Sequence, residues 1–433
     1  MRLSDPPAAS YYADSVAASC PEFPPPARPA LRGELRADVA VVGGGIAGCS
    51  AALHLAKRGF SVVVLEARNV GYGASGRSGG QTIFGLAASQ QALIAQVGKD
   101  DARHLFDLSV EGLDLLQSLI RDYGIECDYR PNHLHVAVKP RQVRELEEWA
   151  QELKTQYAYG SVLLLDRQQL RAHVASDRYF GGLLDTRSGH LNPLKYTLGL
   201  ARAAESLGVR IFENTQVLRY TDGPVIQVHG AQGVVRCTHL VFCGGAYLGA
   251  LVPALSRRIL GVGTYIMATQ PLSAQRAQAL LPSNAAVADI NWVLDYFRLS
   301  ADHRLLFGGR VSYSALEPRH LAESMRKRLL RVFPSLTDVE VDRAWGGYLD
   351  ITMSRAPNFG RLANNVFYLQ GFSGHGMVLT GLGGKLVAEA VAGTAERFDV
   401  FARIPHRDFP GGPILRRPSL VVAMLYYRLR DLL

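Results

Sequence analysis

Residues 38–67 read DVAVVGGGIAGCSAALHLAKRGFSVVVLEA, and the order of residue types in this stretch decides the fold. Val39 to Val42 form an unbroken apolar run, as expected of a central parallel strand buried on both faces. Gly43, Gly45 and Gly48 then supply GxGxxG. The first glycine permits the tight turn, the second lets backbone approach a pyrophosphate, and the third lets the helix pack closely on the sheet. Ile46 and Ala47 open that helix, whose N-terminus offers unpaired N–H groups and partial positive charge to phosphates. Ala51, Ala52, Leu55 and Ala56 carry it to a stop at Gly59. SVVVLEA is the second strand. Glu66 at its end lies 23 residues beyond Gly43, where a carboxylate grips ribose hydroxyls, with Ala67 and Arg68 following it. A lone GxGxxG is a weak signal, but strand, glycines, helix, strand and acid in this order specify a dinucleotide site.

The next segment separates NAD from FAD. VGYGASGRSGGQT, residues 70–82, is a second run of small residues directly after the acidic strand. A nicotinamide-binding domain would normally continue into another helix there. Ala74, Ser75, Gly76, Gly79 and Gln81 instead suggest backbone wrapped around a long buried ligand, with Arg77 and Ser78 near its phosphates. The competing reading is a surface loop. FAD is favoured.

At 433 residues the chain exceeds one simple core, and two domains are expected. Hydrophobic residues make up 48% and charged residues 20%, an ordinary globular balance. The net charge is +9, but the basic residues are scattered without a run of five or six, so they read as solvated surface rather than a nucleic-acid face. Cys20, Cys49, Cys127, Cys237 and Cys243 are odd in number, widely spaced and free of CxxC, which excludes a disulfide framework and a zinc site; no metal is expected. A reducing, cytoplasmic compartment fits. The first 34 residues lack an apolar h-region, so no secretory signal is expected, and their prolines suggest an extended arm.

With these elements in place, the chain resembles the FAD-dependent amine and amino-acid oxidases of the D-amino-acid oxidase superfamily, and within it the γ-glutamylputrescine oxidase-like branch. SYYADS, GASGRSGGQ, CDYRPNHLHVAV, VASDRYFGGLLDTRSGHLNPL, LDYFRLSADHRLLFGG, GFSGHG and RFDVFARIPHRDFPGG carry the likeness along almost the whole length. It implies an α/β fold in which a Rossmann-like, GR2-type FAD-binding domain is interleaved with an α+β substrate domain built on an antiparallel sheet. The expected division is an arm over 1–33, FAD-domain pieces over 34–85, 187–250 and 340–400, substrate-domain pieces over 86–186 and 251–339, and a tail over 401–433. The resemblance also implies backbone contact with adenine at Val217, and Cys243, Gly244 and Gly245 beside the pyrophosphate.

In NVFYLQGFSGHGMVLTGLGGKLVAEAVAG, residues 365–393, an apolar strand meets Gly371, Gly374 and Gly376 and then a helix with small residues on one face. This second helix N-terminus suits the flavin pyrimidine end, where negative charge develops on reduction. Gly374, His375, Gly376 and Met377 are the expected contacts, and family position implies that Arg355 supports the flavin edge. No cysteine follows Cys243, so FAD is expected to be non-covalent.

The implied reaction moves a hydride from the carbon bearing nitrogen to the flavin, giving an imine that water hydrolyses. Such a site must position the C–H and exclude water, and requires no acid–base triad. Tyr265, alternating with Met267 and Thr269, and Tyr296 are candidate walls of the amine pocket. His375 is a candidate at the flavin. The first substrate expectation is γ-glutamylputrescine or a related polyamine conjugate. The alternative is a carboxylate-bearing secondary amine such as L-pipecolate, with Arg310 as the carboxylate clamp. An RNA-modifying flavoprotein is a remote third reading, because no clustered basic face or RNA module is visible. Oxygen and quinone both stand as electron acceptors, and a homo-oligomer is compatible. LRRPSLVVAMLYYRLRDLL at 415–433 is too short to span a bilayer. It reads either as a helix docked on the protein or a partner, or as a peripheral membrane contact.

Overall fold

A computed structural model describes residues 10–19, 28–312 and 320–412. Its centre is a six-stranded sheet in the order Asn358–Ala363, Val366–Gln370, His239–Phe242, Val39–Val42, Val62–Leu65, Arg210–Phe212. All neighbours are parallel except the first pair, which is a hairpin. Val39–Val42 and Val62–Leu65 are buried at every position, as unbroken apolar runs require. Helices Ile46–Ala56, Pro193–Ser206 and Gly376–Val391 contribute to one large core. The first and last of these press together at Gly384, where a Cβ would lie 2.5 Å from the Ala51 backbone nitrogen. Ser50 Oγ donates to the Gly381 carbonyl across the same contact at 2.7 Å.

A nine-stranded sheet forms the second layer. Its path runs Val341–Ile351, Leu260–Thr269, Leu305–Ser312, Tyr296–Leu299, Ala286–Asp289, Arg130–Ala137, Gly181–His190, Gln81–Thr82, with Val162–Asp166 paired to Gly181–His190. The sheet is antiparallel save for one parallel pair, Ala286–Asp289 against Arg130–Ala137. Strand Val341–Ile351, expected with the FAD-domain pieces, sits at its edge beside Leu260–Thr269. A smaller four-stranded sheet, opened by Gly33–Arg36, completes the body.

The N-terminal arm was expected to be extended, but residues Tyr11–Ser19 form a helix. Tyr12 is fully buried edge-on to Trp345, with ring centroids 5.3 Å apart. Tyr11 donates to Asp302 at 2.7 Å. Two consecutive aromatics that find a core outweigh the proline-rich context on either side. No helix among the described residues is long and apolar enough to cross a membrane. The C-terminal segment with its two readings lies outside the described residues.

Candidate active site

Local geometry explains the glycine fingerprint. Gly43 adopts φ +112°, and a Cβ there would lie 2.9 Å from the Cys243 carbonyl oxygen. At Gly48 a Cβ would sit 1.9 Å from the Gly43 carbonyl oxygen, so only glycine lets the helix start this close to the turn. Glu66 stands beside them. One carboxylate oxygen accepts from Gly44 N–H at 2.7 Å and the other from Arg68 N–H at 2.8 Å. Burial pushes the Glu66 carboxyl above its usual range, opposed by those two bonds. Ser75 Oγ accepts from the Ile46 N–H at 3.0 Å and so tethers the second small-residue segment to the helix N-terminus.

These groups line one cleft. Gly43, Gly45, Ala47, Glu66, Ala67, Ala74, Ser75, Val217, Cys243, Gly244 and Gly245 all face it. Ile46, Gly48, Arg68, Gly76, Arg77, Ser78, Gly79, Gln81, Arg355, Gly374, His375, Gly376 and Met377 do not, although several brace its wall. Arg77, expected near phosphates, donates to the Tyr72 carbonyl at 2.7 Å and the Gly346 carbonyl at 3.2 Å, and stacks on the Tyr72 ring. Gln81 reaches the Val287 carbonyl, and Ser78 reaches the Met377 sulfur.

The cleft also holds residues that sequence reading passed over. Tyr72, Tyr247 and Tyr348 bring aromatic rings to it, and Thr215, Gln216, Phe372 and Thr380 add to its wall. Asp350 is the most consequential. Its carboxylate accepts from Gly371 N–H at 2.7 Å, and its own carbonyl accepts from Ser373 N–H at 3.0 Å. Burial pushes it up to about 6. A charged residue near the end of the largely apolar YLDI run was the available signal.

The substrate-side candidates separate. Tyr265 and Met267 share a core with Phe297 and Phe307, and the Tyr265 ring covers Gly346, so it lines neither this cleft nor the second cavity described below. Tyr296 is pressed between Gly79 and Gly308, where added Cβ atoms would fall 2.6 Å and 2.0 Å from its ring; burial raises its hydroxyl. Between Leu260–Thr269 and Leu305–Ser312 the register shifts at Tyr265/Ile266, opposite Gly309 at φ +152°. The Arg310 backbone pairs with Tyr265, while its side chain lies outside the described residues. Arg298 is buried and donates to the Gly79 and Leu191 carbonyls and to the Tyr12 hydroxyl, which ties the docked N-terminal helix to the small-residue segment 70–82. His375 caps the helix Gly376–Val391 by position, and its Nε2 lies 2.7 Å from the Phe84 carbonyl. A carbonyl only accepts, so Nε2 carries the proton. Burial lowers the tendency of His375 to charge.

The residues present fit a long dinucleotide. A buried carboxylate ends the second strand, a glycine cradle lies where any Cβ would collide, and Phe372 of the second glycine turn adds to the wall of the same cleft. The chain belongs to the FAD-dependent oxidoreductase family, whose pattern matches residues 38–390, and it is an FAD-dependent oxidoreductase of that fold. Among its relatives, it is 43% identical over 423 residues to the γ-glutamylputrescine oxidoreductase of Escherichia coli strain K12, covering 98% of each chain. It is 39% identical over 427 residues to a probable oxidoreductase, OrdL, of Haemophilus influenzae, covering 98% of this chain and 97% of that one. The solved glycine oxidase of Bacillus cereus shares the fold at a TM-score of 0.70 and 21% identity, over 86% of this chain and 99% of that one.

Proposed function

We propose that this enzyme oxidises the C–N bond of a small amine, with γ-glutamylputrescine or a related polyamine conjugate as the substrate class. The observation that carries this reading is the 43% likeness to a γ-glutamylputrescine oxidoreductase along 98% of both chains. The same likeness puts this reading ahead of the alternative, a carboxylate-bearing secondary amine such as L-pipecolate held by Arg310, to which amino-acid oxidases of lower identity point.

Bound FAD supplies the hydride acceptor. The chain's own residues do the rest. In this reading Glu66 would hold the ribose, the turn 43–48 and Ser75 the pyrophosphate, Val217 the adenine, and the turn 371–376 the flavin end. Tyr296, wedged against Gly79, fixes the loop that carries the cofactor. Burial pushes the Cys243 thiol up, away from the thiolate that a covalent flavin bond needs, which supports non-covalent FAD. We take residues 34–85, 187–250 and 340–400 as the FAD-binding unit and 86–186 and 251–339 as the substrate unit, with Val341–Ile351 as the strand joining the two. A cytoplasmic protein with oxygen or quinone as acceptor completes the reading.

Anaerobic addition of γ-glutamylputrescine to the purified yellow protein tests it. Bleaching of the flavin by this amine, and not by L-pipecolate, L-proline or sarcosine, is the expected result. Bleaching by L-pipecolate alone would transfer the assignment to a secondary amine with its carboxylate beside the reacting nitrogen.

A further inference from the structure

A second cavity of about 530 Å³ lies between the helices Gln90–Val97, Lys99–Asp122 and Pro140–Tyr157 and the strand Arg130–Ala137. That volume suits a small organic ligand. Its walls are aromatic. Phe84, Phe106, Trp149 and Tyr157 stand round it, with the Phe106 and Tyr157 rings 4.2 Å apart and the Phe84 and Trp149 rings stacked at 6.1 Å. His135 and His375 complete it on the sheet side. Burial drives His135 down to about 3 and lowers His375, so both imidazoles are neutral at physiological pH. Glu152 is then the single charged side chain in the lining.

The cavity and the cofactor cleft share a wall. On the turn 371–376, Phe372 faces the cleft and His375 faces the cavity. The His375–Phe84 hydrogen bond joins this turn to the aromatic wall. An apolar box with one carboxylate and no basic group favours a cation on an aliphatic chain, because aromatic faces attract ammonium groups and a carboxylate completes the pair.

We propose that this cavity is the substrate pocket and selects a two-headed aliphatic amine. The reacting nitrogen points towards the His375 wall, the methylene chain lies on Phe84, Phe106, Trp149 and Tyr157, and a second ammonium at the far end meets Glu152. This rests on the amine reading above and adds the residues that choose the substrate.

The test uses the FAD-loaded enzyme and Glu152→Gln, with putrescine, whose distal end is an ammonium and no other charge, and N-acetylputrescine, whose distal end is uncharged. Glu152→Gln is expected to raise KM for putrescine about tenfold, with a much smaller change in the saturated rate of flavin reduction and in KM for N-acetylputrescine. A general structural lesion would move both substrates together. Equal changes for the two, or none, would overturn the proposal. Binding is read separately from the quenching of Trp149 fluorescence by putrescine, with Trp149→Phe to assign the signal. If no amine bleaches the flavin but putrescine still quenches Trp149 saturably, and does so more weakly in Glu152→Gln, the amine-oxidation reading fails while the cation pocket stands. If putrescine leaves Trp149 unquenched, the pocket assignment fails whatever the enzyme oxidises.

Discussion

The two glycine turns of the cofactor cleft, 43–48 and 371–376, are built alike but supported differently. Each follows a buried parallel strand, opens a helix, and has one backbone N–H held by a carboxylate at 2.7 Å, Gly44 by Glu66 and Gly371 by Asp350. Glu66 follows the neighbouring strand of the same sheet, 22 residues along the chain from Gly44. Asp350 is as near in sequence, 21 residues from Gly371, but comes from the edge of the other sheet. The first turn is thus a self-contained local unit, while the second is completed only when the two layers meet. Loss of contact between layers should therefore disturb the flavin end of the cleft and leave the adenine end in place.

The largest effect is expected at the first turn. Gly48→Val places a side chain against the Gly43 carbonyl, where even a Cβ would be 1.9 Å away. It should cost on the order of 4 kcal/mol or more, and the protein should be recovered colourless or insoluble. A yellow, stable Gly48→Val protein would show that the turn can open. Removing the carboxylates tests the comparison directly. Glu66→Ala frees two N–H groups, and Asp350→Ala frees the Gly371 N–H; each freed group costs about 1–3 kcal/mol. FAD affinity, measured by flavin release on dilution, should fall about a hundredfold in the first variant and about tenfold in the second. An Asp350→Ala protein that holds FAD as wild type would remove the second turn from the comparison.

The smallest effect depends on pH. Burial raises the Asp350 carboxyl from 3.8 to about 6, so the folded state holds its proton more tightly than the unfolded state. Ionising it therefore costs stability progressively as pH rises from about 4 through 6, and costs nothing below that window. Asp350→Asn keeps an acceptor for Gly371 without the charge. The melting temperature of the flavin-stripped variant should exceed that of wild type above pH 6, and the two should converge near pH 4. A constant difference across this range would mean that Asp350 stays protonated or is compensated.

Much of the cradle was legible because its signals are local. Val39 to Val42, the glycines, the helix and Glu66 fall within 30 residues, and hydrogen bonds that follow from strand and helix geometry fix their mutual positions. The roles of single side chains in the next segment were less legible. Arg77 reads as a residue near phosphates, and the partners its guanidinium has in the fold include the Tyr72 and Gly346 carbonyls. Gly346 lies on a strand 269 residues away, which no pattern around Arg77 could indicate. Alternation placed Tyr265 and Met267 together, correctly, but not which face of the sheet they share, and that face turns out to be the packed one.

By itself the sequence determined that a dinucleotide is held between a parallel sheet and a helix N-terminus, because strand period, glycine spacing and a terminal acid are properties of contiguous chain. Tertiary structure alone decided which groups complete the cleft and the cavity beside it. Asp350, Trp149, Glu152 and the docked Tyr12 act through packing between elements that only the folded layers bring together, and one residue of register or one bulge sends a side chain to the opposite face of a sheet.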